Sequence, residues 1–133
     1  MIVVDANIII YLHIQGERTA QALRALQKDP SWIAPLLWES EFRNVLAGYM
    51  RRHIFKLEDA QRVMNSALQT MEGREILPSS DLVLEIVAAS DCSAYDCEYV
   101  ALAKQLHVKL VTSDKKMCQS FPETAVELGA FTA

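Results

Sequence analysis

Hydrophobic positions along this chain change period several times, and each change marks an element. Ile2 to Val4 is a short β-branched run that stops at Asp5, as a strand buried on both faces would. After Arg18 the spacing becomes helical, with Ala22, Leu23 and Leu26 on one face until Pro30 closes it. Trp32 to Ala34, before Pro35, reads as a second strand. From Trp38 onward, Phe42, Val45, Leu46, Tyr49 and Met50 recur at helical spacing. Leu57, Ala60, Val63, Met64, Ala67, Leu68 and Met71 repeat that period in the next segment.

The remainder alternates in the same way. Arg74 to Leu77 reads as a third strand ended by Pro78, and Ser79 or Ser80 caps a helix carrying Leu82, Val83, Ile86 and Val87. Ser93 opens another helix, with Tyr99, Val100, Leu102, Ala103 and Leu106 inside it. Leu110 to Thr112 forms a strand halting at Ser113-Asp114, Lys115 to Ser120 a short helix, and Ala125 to Leu128 a last strand. Strands alternating with helices predict a parallel sheet covered on both faces. With no repeat, low-complexity stretch or linker, residues 1–133 form one α/β domain.

Composition narrows the function classes. Of the 133 residues 51% are hydrophobic and 23% charged, so the chain is globular. A net charge of −4 argues against gripping nucleic acid by bulk positive charge, and any such grip is then local. Cys92, Cys97 and Cys118 follow no metal-binding spacing and read as free thiols in a reducing cytoplasm. The chain enters its first strand at once, without a basic leader, so Met1 reads as the native start. It also lacks the apolar stretch of roughly 20 residues that a membrane span needs. A cytoplasmic protein with no membrane association is expected.

Candidate chemistry lies in the acids at element boundaries. Asp5 and Asp114 stand where predicted strands run out, the edge at which open parallel sheets bind ligands. Each also stands where a helix or turn begins, so each could be an N-cap. Ser93-Ala94-Tyr95-Asp96 matches a capping box, and Glu41 suits the first turns of its helix. Singly, all four are ordinary helix-start residues. Together they can converge on one cleft, where carboxylates repel one another unless cations neutralise them. Hard oxygen ligands of this kind select Mg²⁺ or Mn²⁺, and the chemistry they suit is phosphoryl transfer.

The strings around these acids resemble a known family. Val3-Val4-Asp5-Ala6-Asn7-Ile8 is similar to the opening motif of PIN-domain nucleases, and Trp38-Glu39-Ser40-Glu41-Phe42-Arg43-Asn44-Val45-Leu46 to their second. Tyr95-Asp96-Cys97-Glu98-Tyr99-Val100-Ala101-Leu102-Ala103 resembles the third, and Leu110-Val111-Thr112-Ser113-Asp114-Lys115-Lys116 the fourth. The resemblance runs from residue 2 to about residue 128, and the chain's size is most similar to VapC-type toxins of bacterial toxin–antitoxin pairs. It implies a three-layer sandwich with a five-stranded parallel sheet, and a Mg²⁺- or Mn²⁺-dependent endoribonuclease. It further implies a homodimer, an RNA substrate and an inhibiting antitoxin. Asp5, Glu41, Asp96 and Asp114 carry over as metal ligands. Asn7 and Thr112 carry over as residues that orient carboxylates or water by hydrogen bonds.

Glu39 competes with Glu41, and the register with Asn44 favours Glu41. Asp91 and Glu98 are extra acids near Asp96 with no counterpart in the motif; two residues away on a helix, Glu98 should face elsewhere. Arg43, Lys115 and Lys116 lie close enough to proposed ligands to touch a substrate phosphate, although each equally suits solvent. His13, His53 and His107 fit no ligand spacing. A haloacid-dehalogenase-type phosphatase would need a second Asp where Asn7 stands, and a receiver domain an acidic pair after its first strand. The same four acids would also suit a housekeeping RNA-processing nuclease, or a metal- or partner-binding module without catalysis.

Overall fold

β1 (Ile2–Val4) buries all three of its side chains, as its unbroken β-branched run requires. In the computed structural model, which describes residues 1–133, it lies inside a four-stranded parallel sheet of order β2-β1-β3-β4. The other strands are β2 (Trp32–Ile33), β3 (Leu110–Thr112) and β4 (Ala125–Glu127). Val4 pairs with Val111 and Thr112 with Glu127, so the carboxyl ends of β1, β3 and β4 form one edge.

Eight helices complete the chain: α1 (Ala6–His13), α2 (Thr19–Lys28), α3 (Leu37–Arg51), α4 (Leu57–Thr70), α5 (Ser80–Ala88), α6 (Ala94–Leu106), α7 (Lys115–Ser120) and α8 (Leu128–Thr132). α1 and α6 both pack on β1 and β3 but make no substantial contact with one another, so helices cover both faces of the sheet. A single apolar core runs through the three layers, with Trp32, Trp38, Phe42, Ile8 and Ile9 among its largest members. No helix is long and apolar enough to cross a membrane.

The expected fifth strand does not form. Arg74 to Leu77 makes only a single parallel bridge, Ala34 to Glu75, closed by Ala34 N–H to Arg74 O and Ile76 N–H to Ala34 O, each 3.1 Å. The next residue on the β2 side is Pro35, which has no N–H to extend the ladder. Leu77 is 73% exposed, so no burial rewards a longer strand. The helix or turn expected after Asp5 is α1. The isoleucines at 8, 9 and 10 carry no helical period, yet all three are buried inside α1. Burial on several sides there overrides the weak helix propensity of β-branched residues.

Candidate functional site

Asp5 follows β1 directly and Asp114 follows β3 by two residues, and because those strands are adjacent and parallel both acids reach the same edge. Glu41 comes from the second turn of α3 and Asp96 from the first turn of α6. Between Asp5 and Asp114 stands Thr112. Its hydroxyl donates to Asp5 Oδ2 at 2.7 Å and accepts from the Asp114 N–H at 3.0 Å. Asp5 (7% exposed) is the one buried acid of the chain, and Thr112 (0%) is buried beside it. A buried polar pair is tolerated only when each partner satisfies the other.

Electrostatics tie the remaining acids to this pair. Burial pushes the Asp5 carboxyl up to about 6, and the charges of Glu41 and Asp96 push the same way against the lowering effect of Thr112. Glu41 is half-buried and raised by burial, with Asp96 and Glu98 adding repulsion. Asp96 is raised by burial and then by the charge of Asp114. The four acids therefore form one repelling series along the edge. None of them joins any of the protein's four ion pairs. Among the charges acting on Asp5, Glu41 and Asp96, Lys116 is the one cation that lowers a pKa, that of Asp96.

Capping accounts for part of this arrangement and no more. Asp114 Oδ1 accepts from the Lys116 and Met117 N–H groups at 2.9 and 3.3 Å, so it is the N-cap of α7. Its Oδ2 takes no bond. Asp5 heads α1 without a side-chain cap bond. At α6 only half of the expected capping box forms: Ser93 Oγ accepts from the Asp96 N–H at 3.1 Å, and no bond returns to the Asp96 carboxylate.

Glu39 and Glu41 part company. Glu39 pairs with Arg43 at 3.5 Å and lies beside Glu75, whose carboxyl is raised to about 7 by burial and by the neighbouring Glu39 carboxylate. Glu41 instead accepts from the Tyr99 phenol at 2.6 Å. Glu98 raises Glu41 and leaves Asp96 untouched, as its helical position requires.

Tyr99 is the site neighbour that sequence reasoning placed only in the core. It is 1% exposed, and burial together with the Glu41 charge raises its phenol far above the usual value, so it stays a donor. The signal was present: Tyr99 lies three residues after Asp96 on one helix, and a buried phenol needs an acceptor. Other expectations find no link to the carboxylates. Asn7 is exposed on α1 and makes no side-chain hydrogen bond, so it neither caps the helix nor orients an acid. Arg43 is engaged by Glu39 and Ser40. Lys115 is exposed, while the Lys116 ammonium donates to Asp91 O at 3.2 Å.

No three acidic, histidine or cysteine side chains close into an ion-sized cage as they stand. The donor set nevertheless suits a hard divalent cation. It is all oxygen, Asp5, Glu41 and Asp96 are raised by burial and by neighbouring acids, none of the four is in an ion pair, and Asp5, Glu41 and Asp114 each keep one oxygen free.

Fold and edge together define a class. Residues 2–121 match the family model described as PIN domain, and the chain belongs to that family. It is similar to Ribonuclease VapC3 of Pyrobaculum aerophilum, 27% identical over 124 residues that cover 91% of this chain and 95% of the relative. Among solved structures it resembles PAE2754 from Pyrobaculum aerophilum, with a TM-score of 0.73 at 18% identity over 98% of this chain and 92% of that one. It equally resembles FitAcB from Neisseria gonorrhoeae, with a TM-score of 0.74 at 17% identity over 97% and 99%.

Proposed function

We propose that this PIN domain is an endoribonuclease dependent on Mg²⁺ or Mn²⁺ and the toxin of a toxin–antitoxin pair. Four carboxylates at one strand edge, with no protein cation paired to any of them, carry the proposal. The ribonuclease name of a relative that aligns over nearly its full length supports the substrate class.

Asp5, Glu41, Asp96 and Asp114 are the residues that would hold the cation. When bound, it supplies charge neutralisation and Lewis acidity for hydrolysing a phosphodiester. The chain's own residues prepare that edge. Thr112 fixes the Asp5 carboxylate and, through the Asp114 N–H, the turn that carries the fourth acid. The Lys116 ammonium sits on a backbone carbonyl and is free to move onto an RNA phosphate, with Lys115 beside it. Arg43 can join them, because an exposed pair such as Arg43–Glu39 holds weakly.

A homodimer and a cognate antitoxin are part of the same proposal. Leu77, Leu84 and Tyr95, all largely exposed, line one groove with Pro78 and Val83, an apolar surface that a second copy would bury. Sedimentation of wild type and Leu84→Glu tests it, the variant being expected to be the smaller species.

The decisive experiment incubates the purified protein with a panel of structured RNAs, with Mg²⁺ or Mn²⁺ and with chelator. Cleavage is expected only with the cation. Activity persisting in chelator, or an Asp5→Asn variant that cuts at full rate, overturns the proposal.

A further inference from the structure

We propose that Tyr99 is a positioning residue: its buried phenol takes one oxygen of Glu41, so that Glu41 meets the cation through a single oxygen. The inference rests on the cation-dependent reading above and adds to it a residue and a selectivity. The phenol donates to Oε1 at 2.6 Å, the short separation of a hydrogen bond to an ionised acceptor. No second bond reaches Oε2. The same arrangement recurs along the edge with different donors. Thr112 takes Oδ2 of Asp5, and two backbone N–H groups take Oδ1 of Asp114. Three carboxylates thus each have one oxygen held by the protein and one left over.

Glu41 needs such a restraint most. It has one more rotatable bond than the aspartates and is only half-buried, so without a donor its carboxylate would lose more freedom on binding a cation. The consequence is selectivity. Ca²⁺ favours two-oxygen carboxylate contacts and high coordination numbers, whereas Mg²⁺ and Mn²⁺ take an octahedral set of single oxygens. A phenol on Oε1 disfavours the first arrangement and suits the second.

The test is cation titration of Tyr99→Phe by calorimetry, with Mn²⁺ and then Ca²⁺, alongside wild type, Glu41→Gln and the double variant. Removing an outer partner of a ligand typically weakens metal binding about 10–100-fold, and a loss in that range is expected for Mn²⁺. The loss for Ca²⁺ should be smaller, narrowing the ratio between the two cations. RNA cleavage should fall at low Mn²⁺ and recover at high Mn²⁺. In the Glu41→Gln background the Phe substitution should change Mn²⁺ binding little, because the bond it removes acts through Glu41. Equal Mn²⁺ affinity in wild type and Tyr99→Phe overturns the positioning role and leaves the nuclease reading intact. An equal loss in the Glu41→Gln background overturns it too, since Tyr99 would then act through general packing. A wild type that binds no Mn²⁺ overturns both.

Discussion

Glu39 and Glu41 lie two residues apart on α3, and their surroundings are opposites. Glu39 meets the chain's own answer to negative charge, the guanidinium of Arg43, beside a Glu75 carboxyl that burial and Glu39 raise to about 7. Glu41 meets a phenol and three further acids, and no cation pairs with it. An acidic cluster that a protein neutralises internally is structural. One that it furnishes with donors but leaves unneutralised is poised for an external cation. The contrast can be broken by experiment at either end.

Asp5→Asn gives the largest expected effect, in two directions at once. RNA cleavage should fall by more than about a hundredfold, exceeding the loss typical of an outer partner. The metal-free protein should become more stable at pH 7. The Asp5 carboxyl is raised from 3.8 to about 6, so its ionised form opposes folding; relieving that is worth about 3 kcal/mol, a clear rise in melting temperature. Asn still offers Thr112 an acceptor. Glu39→Gln, by contrast, should leave cleavage unchanged, and a large loss there would collapse the distinction between the two acids. Assays with Mn²⁺ and melting curves in EDTA measure both.

Thr112→Val comes next. It preserves shape and removes both the donor to Asp5 and the acceptor of the Asp114 N–H. Mn²⁺ affinity should fall about 10–100-fold, and stability by roughly 1–3 kcal/mol because buried partners lose their bonds. A variant with wild-type Mn²⁺ affinity would show that the Thr112 bond serves folding alone.

The dependence of stability on pH sharpens the same contrast. Asp5 and Glu75 are both raised in the folded state, to about 6 and about 7. The folded protein therefore holds protons that the unfolded chain has released. Their contribution is fully present below the unfolded values near 4 and is lost as pH rises through 6 to 7. In EDTA the melting temperature should rise as pH falls from about 7.5 to about 5. Saturating Mn²⁺ should remove the Asp5 part of that slope, and Glu75→Gln the other part. If Mn²⁺ leaves the slope unchanged, the edge acids are not where the cation binds.

What the sequence disclosed followed physical lines. Asp5 was legible because a buried run of β-branched residues ends there abruptly, and a parallel sheet brings strand ends together. α1 was legible only as a helix or turn opening after Asp5, because three consecutive isoleucines carry no period and only packing on several sides makes them a helix. The missing fifth strand depended on whether one bridge could grow into a ladder, which Pro35 and the exposed Leu77 prevent. In the sequence, only register with Asn44 favours Glu41 over Glu39. What separates them in space is distant in the chain: Glu75 on one side and Tyr99 on the other, with Arg43 closing onto Glu39. Asn7 looks as suited to orienting the site as Thr112, and only the depth of Thr112 between two strand ends distinguishes them.

Lys116→Met carries the smallest expected effect and tests the one cation that reaches the edge. Its ammonium rests on Asp91 O at 3.2 Å and its charge lowers Asp96. If Lys116 served to neutralise Asp96, removing it should tighten Mn²⁺ binding through a more demanding edge and leave RNA affinity alone. If it contacts a phosphate, KM for RNA should rise several-fold with kcat little changed, and the slope of binding against salt should fall by about one counterion. The second outcome is expected. An exposed lysine beside half-buried acids contributes little while water screens it, and more once a phosphate arrives and excludes that water. The salt slope is the sharper reading, because it counts phosphate contacts whichever RNA is used.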